Sequence, residues 1–248
     1  MRVLTGVCIA ALALAVPAAA QDADRKVAGG GVMVKGWQGL VDPAAAAKGA
    51  SIKDSRFEEK DGAFHISAGS QSTYWNPANT ASGDFTVSAS FTEPKMSEGH
   101  PHPYGIFIGG SGLDTDKPSY MYCVAYGNGD ALVRGFSNGQ VVKPDYFKRQ
   151  PAASVAKAAA GQPVTQNIAW TVKGDRAECS INGAVVAGFN KADLVGAGKL
   201  TSLDGIYGIR AAHNVDIVVK DFGKTLALSF GGASLHAGYA PRSHPRDR

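Results

Sequence analysis

PSYMYCVAYGNGDALVRGFSNGQVV, residues 118–142, reads as successive β-strands with their turns written between them. Tyr120, Tyr122, Val124 and Tyr126 fall on one side of an extended chain, and Met121, Cys123 and Ala125 on the other. The small apolar side suits a core; the side with aromatic hydroxyls suits a sheet surface. Gly127-Asn128-Gly129-Asp130 and Ser137-Asn138-Gly139 supply residues that tolerate positive φ, with Leu132, Val133, Arg134 and Phe136 extended between them. Both turns bring adjacent strands back antiparallel.

The same grammar recurs on either side. Asn167–Val172, Arg176–Ile181 and Ala184–Phe189 form a meander turned at Lys173-Gly174-Asp175 and Asn182-Gly183. Arg56–Ser67 is a hairpin turned at Lys60-Asp61-Gly62. Phe85, Val87, Ala89 and Phe91 alternate with Thr86, Ser88 and Ser90, a strand with one face on a core. Tyr104–Ile108, Gly205–Ala212 and Val215–Phe222 add further strands, while Tyr74-Trp75-Asn76-Pro77 sits in a polar setting. Ala152–Ala160 fits a short surface helix or a loop. With about eleven or twelve short strands and no strong helix, two packed antiparallel sheets are the economical solution.

Residues 1–20 carry Arg2, an apolar run from Val7 to Val16, Pro17 and three alanines, the pattern of a secretory signal peptide cleaved after Ala20. Cys8 stands at the front of that run, unlike a lipid-attachment cysteine. No segment reaches the roughly 20 apolar residues of a membrane span. Residues 21–36 read as a flexible polar lead-in, 37–228 as one domain, and 229–248 as a disordered basic tail. The net charge of +4 is spread out, which gives nucleic acid no focused patch. The mature chain keeps Cys123 and Cys179, both at positions facing the core, as a disulfide or as two buried thiols.

The succession GDFTVSASF, YGIFIGG, SYMYCVAY, ALVRGFSNGQVV, NIAWTVKGDRAECSINGAVV and DGIYGIRAAHNVDIVVKDFG resembles the concanavalin A-like lectin/glucanase jelly rolls. Within these it is similar to the laminin-G-like and 3-keto-disaccharide hydrolase-like domains of secreted bacterial proteins. The resemblance implies an all-β sandwich of two antiparallel sheets, one of them curved, with ligand on the concave face. The implied partner is a carbohydrate or related polyol, with no cofactor. A sugar-cleaving enzyme and a module that binds an envelope protein are the alternatives.

Tyr120, Tyr122, Tyr126, Arg134 and Arg210 are the residues for such a surface, with Trp75 and Tyr104 near its rim, because rings stack on sugar faces and guanidinium groups bond hydroxyls. Trp170 belongs to the core. The Glu-x-Asp-x-x-Glu run of retaining glucanases is absent: Glu58-Glu59-Lys60-Asp61 has the wrong spacing, Glu93 and Glu98 flank a loop, and Glu178 stands alone. Two weaker patterns concern metals. His100 and His102 in Gly-His-Pro-His-Pro could turn two imidazoles the same way, and Asp114-Thr115-Asp116 could offer oxygens to calcium; a rigid rim loop and a solvated turn are the simpler readings.

Overall fold

A computed structural model of the protein describes residues 23–97 and 100–226. The signal peptide read at 1–20, the basic tail read at 229–248 and Glu98 lie outside the described residues. The turn residues act as their chemistry requires: Asp61, Asn138 and Asn182 take φ of 52°, 48° and 51°, each followed by a glycine with positive φ.

Among the described residues the chain forms sixteen strands. In chain order they are β1 (Gly31–Val32), β2 (Gln38–Val41), β3 (Arg56–Lys60), β4 (Ala63–Ser67), β5 (Ser72–Ala81), β6 (Phe85–Glu93), β7 (Tyr104–Ser111) and β8 (Ser119–Ala125). There follow β9 (Asp130–Ser137), β10 (Gln140–Val141), β11 (Phe147–Pro151), β12 (Val164–Lys173), β13 (Arg176–Ile181), β14 (Ala184–Asn190), β15 (Gly205–Ala211) and β16 (Asp216–Leu226). One sheet has the order β1-β3-β4-β16-β6-β12-β13-β14; the other runs β10-β9-β8-β7-β15-β5-β2, with β11 also paired to β9. All pairs between these strands are antiparallel except β1 with β3. This is the expected two-sheet jelly-roll sandwich.

Period-two alternation fills the space between the sheets. Phe85, Val87, Ala89 and Phe91 from the first sheet meet Ile106, Ile108, Met121, Cys123, Val133 and Ile209 from the second. Trp170 lies at the centre, fully buried, and its indole N–H donates to the Ile106 carbonyl at 3.2 Å. Cys123 on β8 and Cys179 on β13 are joined as a disulfide with Cα atoms 6.1 Å apart, a covalent tie between the sheets. Of the two readings of these cysteines, the structure shows the bonded one.

Three segments differ from their sequence reading. Residues 23–36 are fastened to the sandwich: Val27 donates to Asp54, β1 pairs with β3, and Arg25 makes two bonds to Asp216. Polar side chains there find partners at strand ends and connections, Arg25 on Asp216 and Asp24 on Ser70, so low hydrophobicity does not leave this stretch unattached. Ser72–Ala81 is a ten-residue strand despite Asn76-Pro77. The ladder from β5 to β15 slips between Ile206 and Gly208, opposite Asn76–Asn79, so Pro77 sits where no ladder donor is required. Asn76 also accepts from the Ala78 N–H at 3.0 Å, closing a local turn. Residues 152–160 form turns and loops without a helix.

The apolar series of β6 ends on a carboxylate. Glu93 is only 2 % exposed, its Oε1 accepts from the Ser97 N–H at 3.3 Å, and it lies beside Tyr104. Burial pushes its pKa from 4.5 up to about 7, against the partial relief of the Ser97 bond. The folded state therefore holds a proton that the unfolded chain releases. Its stabilising effect is full below pH 4.5 and is lost as the pH rises through about 7. Urea midpoints measured across this window should fall with pH, and Glu93→Gln should flatten that slope; an unchanged slope in the variant would refute the assignment.

Candidate functional site

The second face of β8 is not an open platform. Trp75, Phe107, Leu113, Tyr120, Val124 and Phe136 belong to a second apolar cluster on the side of their sheet away from the sandwich core. Phe107 reaches across β15 because position 208 is glycine; a Cβ there would stand 2.5 Å from its ring. Tyr120 stacks on Phe136 with centroids 5.0 Å apart and is 1 % exposed. Trp75, at 3 %, is equally enclosed, so both serve as packing on this face. Tyr104 lies on the opposite face of β7, stacked on Phe91 inside the sandwich, because the pleat sends 104, 106 and 108 inward. Its expected rim position is corrected accordingly.

Tyr122, Tyr126, Arg134 and Arg210 do converge, in the walls of a small pocket of about 120 Å³ on this outer face. Arg134 is paired directly across from Tyr122 in the β8–β9 ladder, and Asp145 accepts from it twice, at 2.7 and 2.8 Å. Those bonds, outweighing partial burial, hold the guanidinium charged well above its usual range. Arg210 is registered against Gly105 on β7. Its guanidinium lies 4.9 Å from the centre of the Tyr122 ring. Asp42 grips Arg210 through both carboxylate oxygens, Gln71 accepts at 3.2 Å, and the Tyr120 hydroxyl lies 3.4 Å away.

Arg149, from β11, is not distinguished by the sequence. It lies 4.0 Å over the Tyr126 ring and donates to Asp130 at 2.8 Å. Nothing local marks it, since β11 is a short, mostly exposed edge strand. The faces of Tyr122 and Tyr126 are thus occupied by guanidinium groups. The chemistry displayed to a ligand is mainly that of the N–H donors of Arg134 and Arg149, because each guanidinium carries five and its aspartate takes only some, whereas Arg210 is 4 % exposed and engaged by Asp42, Gln71 and Tyr120.

One wall of this pocket is the segment His100-Pro101-His102-Pro103, held to the end of β15 by the Ala212 N–H donating to Pro103 at 2.9 Å. His213 follows β15 and joins His100 and His102 there. The ligand atoms of the three imidazoles all lie within 4.8 Å of one another. His213 is the third imidazole that the sequence does not reveal, since it lies on a different strand end far along the chain. Asp114 and Asp116 are exposed in the β7–β8 connection, where Thr115 folds back on Gly112 at 2.8 Å. That loop is at the other end of β7, so the two metal patterns do not share a site.

Gln71, His100 and His213 also line a larger cleft of about 560 Å³. Its other side is the fastened lead-in around Asp24 and the one-turn helix α1 (Pro43–Ala46). The two cavities share this wall, and the larger is within the usual size of a small-ligand site.

No family model matches the sequence, and no curated protein does. The fold has clear relatives among solved structures. The carbohydrate binding module CBM66 from Bacillus subtilis is 10 % identical with a TM-score of 0.51, over 76 % of this chain and 94 % of that one. A protein of unknown function with a galectin-like fold, also from Bacillus subtilis, is 13 % identical with a TM-score of 0.53, over 78 % and 90 %. At such identities the likeness shows a shared jelly-roll fold.

Proposed function

We propose that this chain is an exported domain that binds a carbohydrate or related polyol rich in hydrogen-bond acceptors, on the outer face beside Tyr126. The observation that carries this reading is the row of aspartate-anchored arginines, Arg134, Arg149 and Arg210, converging on one concavity. Held by carboxylates, their planes are fixed before a ligand arrives, so little ordering entropy opposes binding. Ring hydroxyls and acidic substituents of a glycan are acceptors matched to such donors. The fold relationship to a carbohydrate binding module supports the same direction by analogy. Export to the periplasm or beyond, after cleavage of the signal peptide, is supported by the disulfide, which persists in oxidising compartments.

Asp42, Asp130 and Asp145 each accept from an arginine, so they act as anchors here and not as an acid and base flanking a glycosidic bond. One observation favours the second reading, a sugar-cleaving enzyme akin to the 3-keto-disaccharide hydrolase-like group: three imidazoles stand in the pocket wall. Product analysis of any bound glycan separates the two.

The test is a glycan array of neutral and acidic sugars followed by calorimetry on the chain from Gln21. Arg149→Ala and Arg134→Ala should each weaken binding by about 10–100-fold, the loss of a charge-assisted hydrogen bond of about 1.5–3 kcal/mol. Circular dichroism of both variants should match the parent. No saturable binding across the panel, or binding indifferent to both substitutions, would overturn the proposal.

A further inference from the structure

The cluster of His100, His102 and His213 has the donor set of a transition-metal site. We propose that these three imidazoles bind one divalent cation of the zinc class, with Asp24 orienting His213. The argument rests on the cluster's own geometry and does not require the glycan reading.

The rings come from two separate segments, the loop before β7 and the turn after β15, and meet with centroids 5.1 Å apart for His100 and His102 and 4.3 Å for His102 and His213. Imidazole nitrogen suits zinc, copper, nickel and cobalt, whereas calcium and magnesium require oxygen. In a tetrahedral zinc site with bonds of about 2.0–2.1 Å, neighbouring ligand atoms lie about 3.4 Å apart. From the 4.8 Å spread seen here, a contraction of about 1.4 Å suffices.

The surroundings supply what a bound imidazole needs. Asp24 Oδ1 lies 3.1 Å from His213 Nδ1, and Asp24 Oδ2 accepts from the Ser70 hydroxyl at 2.6 Å. The contact is within ion-pair distance but is not aligned as a hydrogen bond; a small turn of the ring would align it, hold the proton on Nδ1 and leave Nε2 for a metal. Asp24 is itself held by the lead-in, where the Arg25 N–H donates to Asn214 at 2.8 Å and Asn214 donates to Ala23 at 2.9 Å. Burial also has a direction: His102 is enclosed, His213 half-buried and His100 exposed. A metal held by three such ligands keeps its remaining position toward the solvent side, where both cavities meet.

The experiment is calorimetric titration of zinc chloride into the chain from Gln21 after EDTA treatment, with metal content read by mass spectrometry and cobalt substitution followed by visible absorption. One zinc per chain is expected, with the intense visible bands of tetrahedral cobalt. His100→Ala and His213→Ala should each weaken binding at least 100-fold, and Asp24→Asn by about 10–100-fold. The tail variant His236→Ala/His244→Ala should bind as the parent does. His100→Ala replaces an exposed residue, so its folding is secure where that of a His102 variant is not. Absence of stoichiometric zinc binding, retention of affinity in His100→Ala and His213→Ala, loss of binding in the tail variant, or a preference for calcium would each overturn the proposal.

Discussion

Replacing the cross-sheet disulfide in a Cys123→Ala/Cys179→Ala variant is expected to lower stability by about 4 kcal/mol, which corresponds to the loop entropy released by a separation of 56 residues. The position makes the bond effective. It links β8, in the middle of one sheet, to β13 in the other, and both cysteines are fully buried. Unfolding without it frees the stretch that carries Arg134, Arg149 and most of the β12–β13 hairpin. Urea denaturation with and without reductant measures the effect. A change below about 1 kcal/mol, or alkylation of both thiols in unreduced denatured protein, would refute it.

Arg210→Met should cost about 3–5 kcal/mol, because it strands the Asp42 carboxylate without its buried partner. The arginine side chain is 4 % exposed and the aspartate 13 %. Burial works against the guanidinium charge, but Asp42 outweighs it and Arg210 stays ionised far above the usual range. The pair therefore behaves as a unit. Asp42→Leu alone should be similarly damaging, while the double variant Arg210→Met/Asp42→Leu should recover most of the loss, since a well-packed apolar pair replaces two charges that must both be desolvated. Additive losses in the double variant would show that the two side chains act independently.

Much of the sandwich is legible in the sequence because its turns are chemically explicit. Asp61-Gly62, Asn138-Gly139 and Asn182-Gly183 demand positive φ, and the alternation in β6 and β12 fixes their core faces. The outer face of β8 is less legible. Alternation distinguishes its two faces but cannot show that loops and neighbouring rings bury both, so Tyr120 and Trp75 read as surface while they pack an apolar cluster. The pocket is half visible for a related reason. Tyr122 and Arg134 are ladder partners in one hairpin, whereas Arg149, Asp42, Asp24 and His213 reach the site through long-range packing that leaves no local pattern.

The place of β16 has a consequence for how the chain comes together. The last of the described strands lies inside its sheet, between β4 and β6. Before residues 216–226 are delivered, the β3–β4 hairpin with β1 and the β6-β12-β13-β14 ribbon have no strand to join them, and each exposes an unpaired edge. A ribosome, or any pore that threads the chain from its N-terminus, supplies that joining strand after every other described strand of the sandwich. Such non-local pairing is slow to form. Closure of this sheet thus waits for residues 216–226, and a chain cut short of residue 216 is expected to keep two half-sheets with open edges.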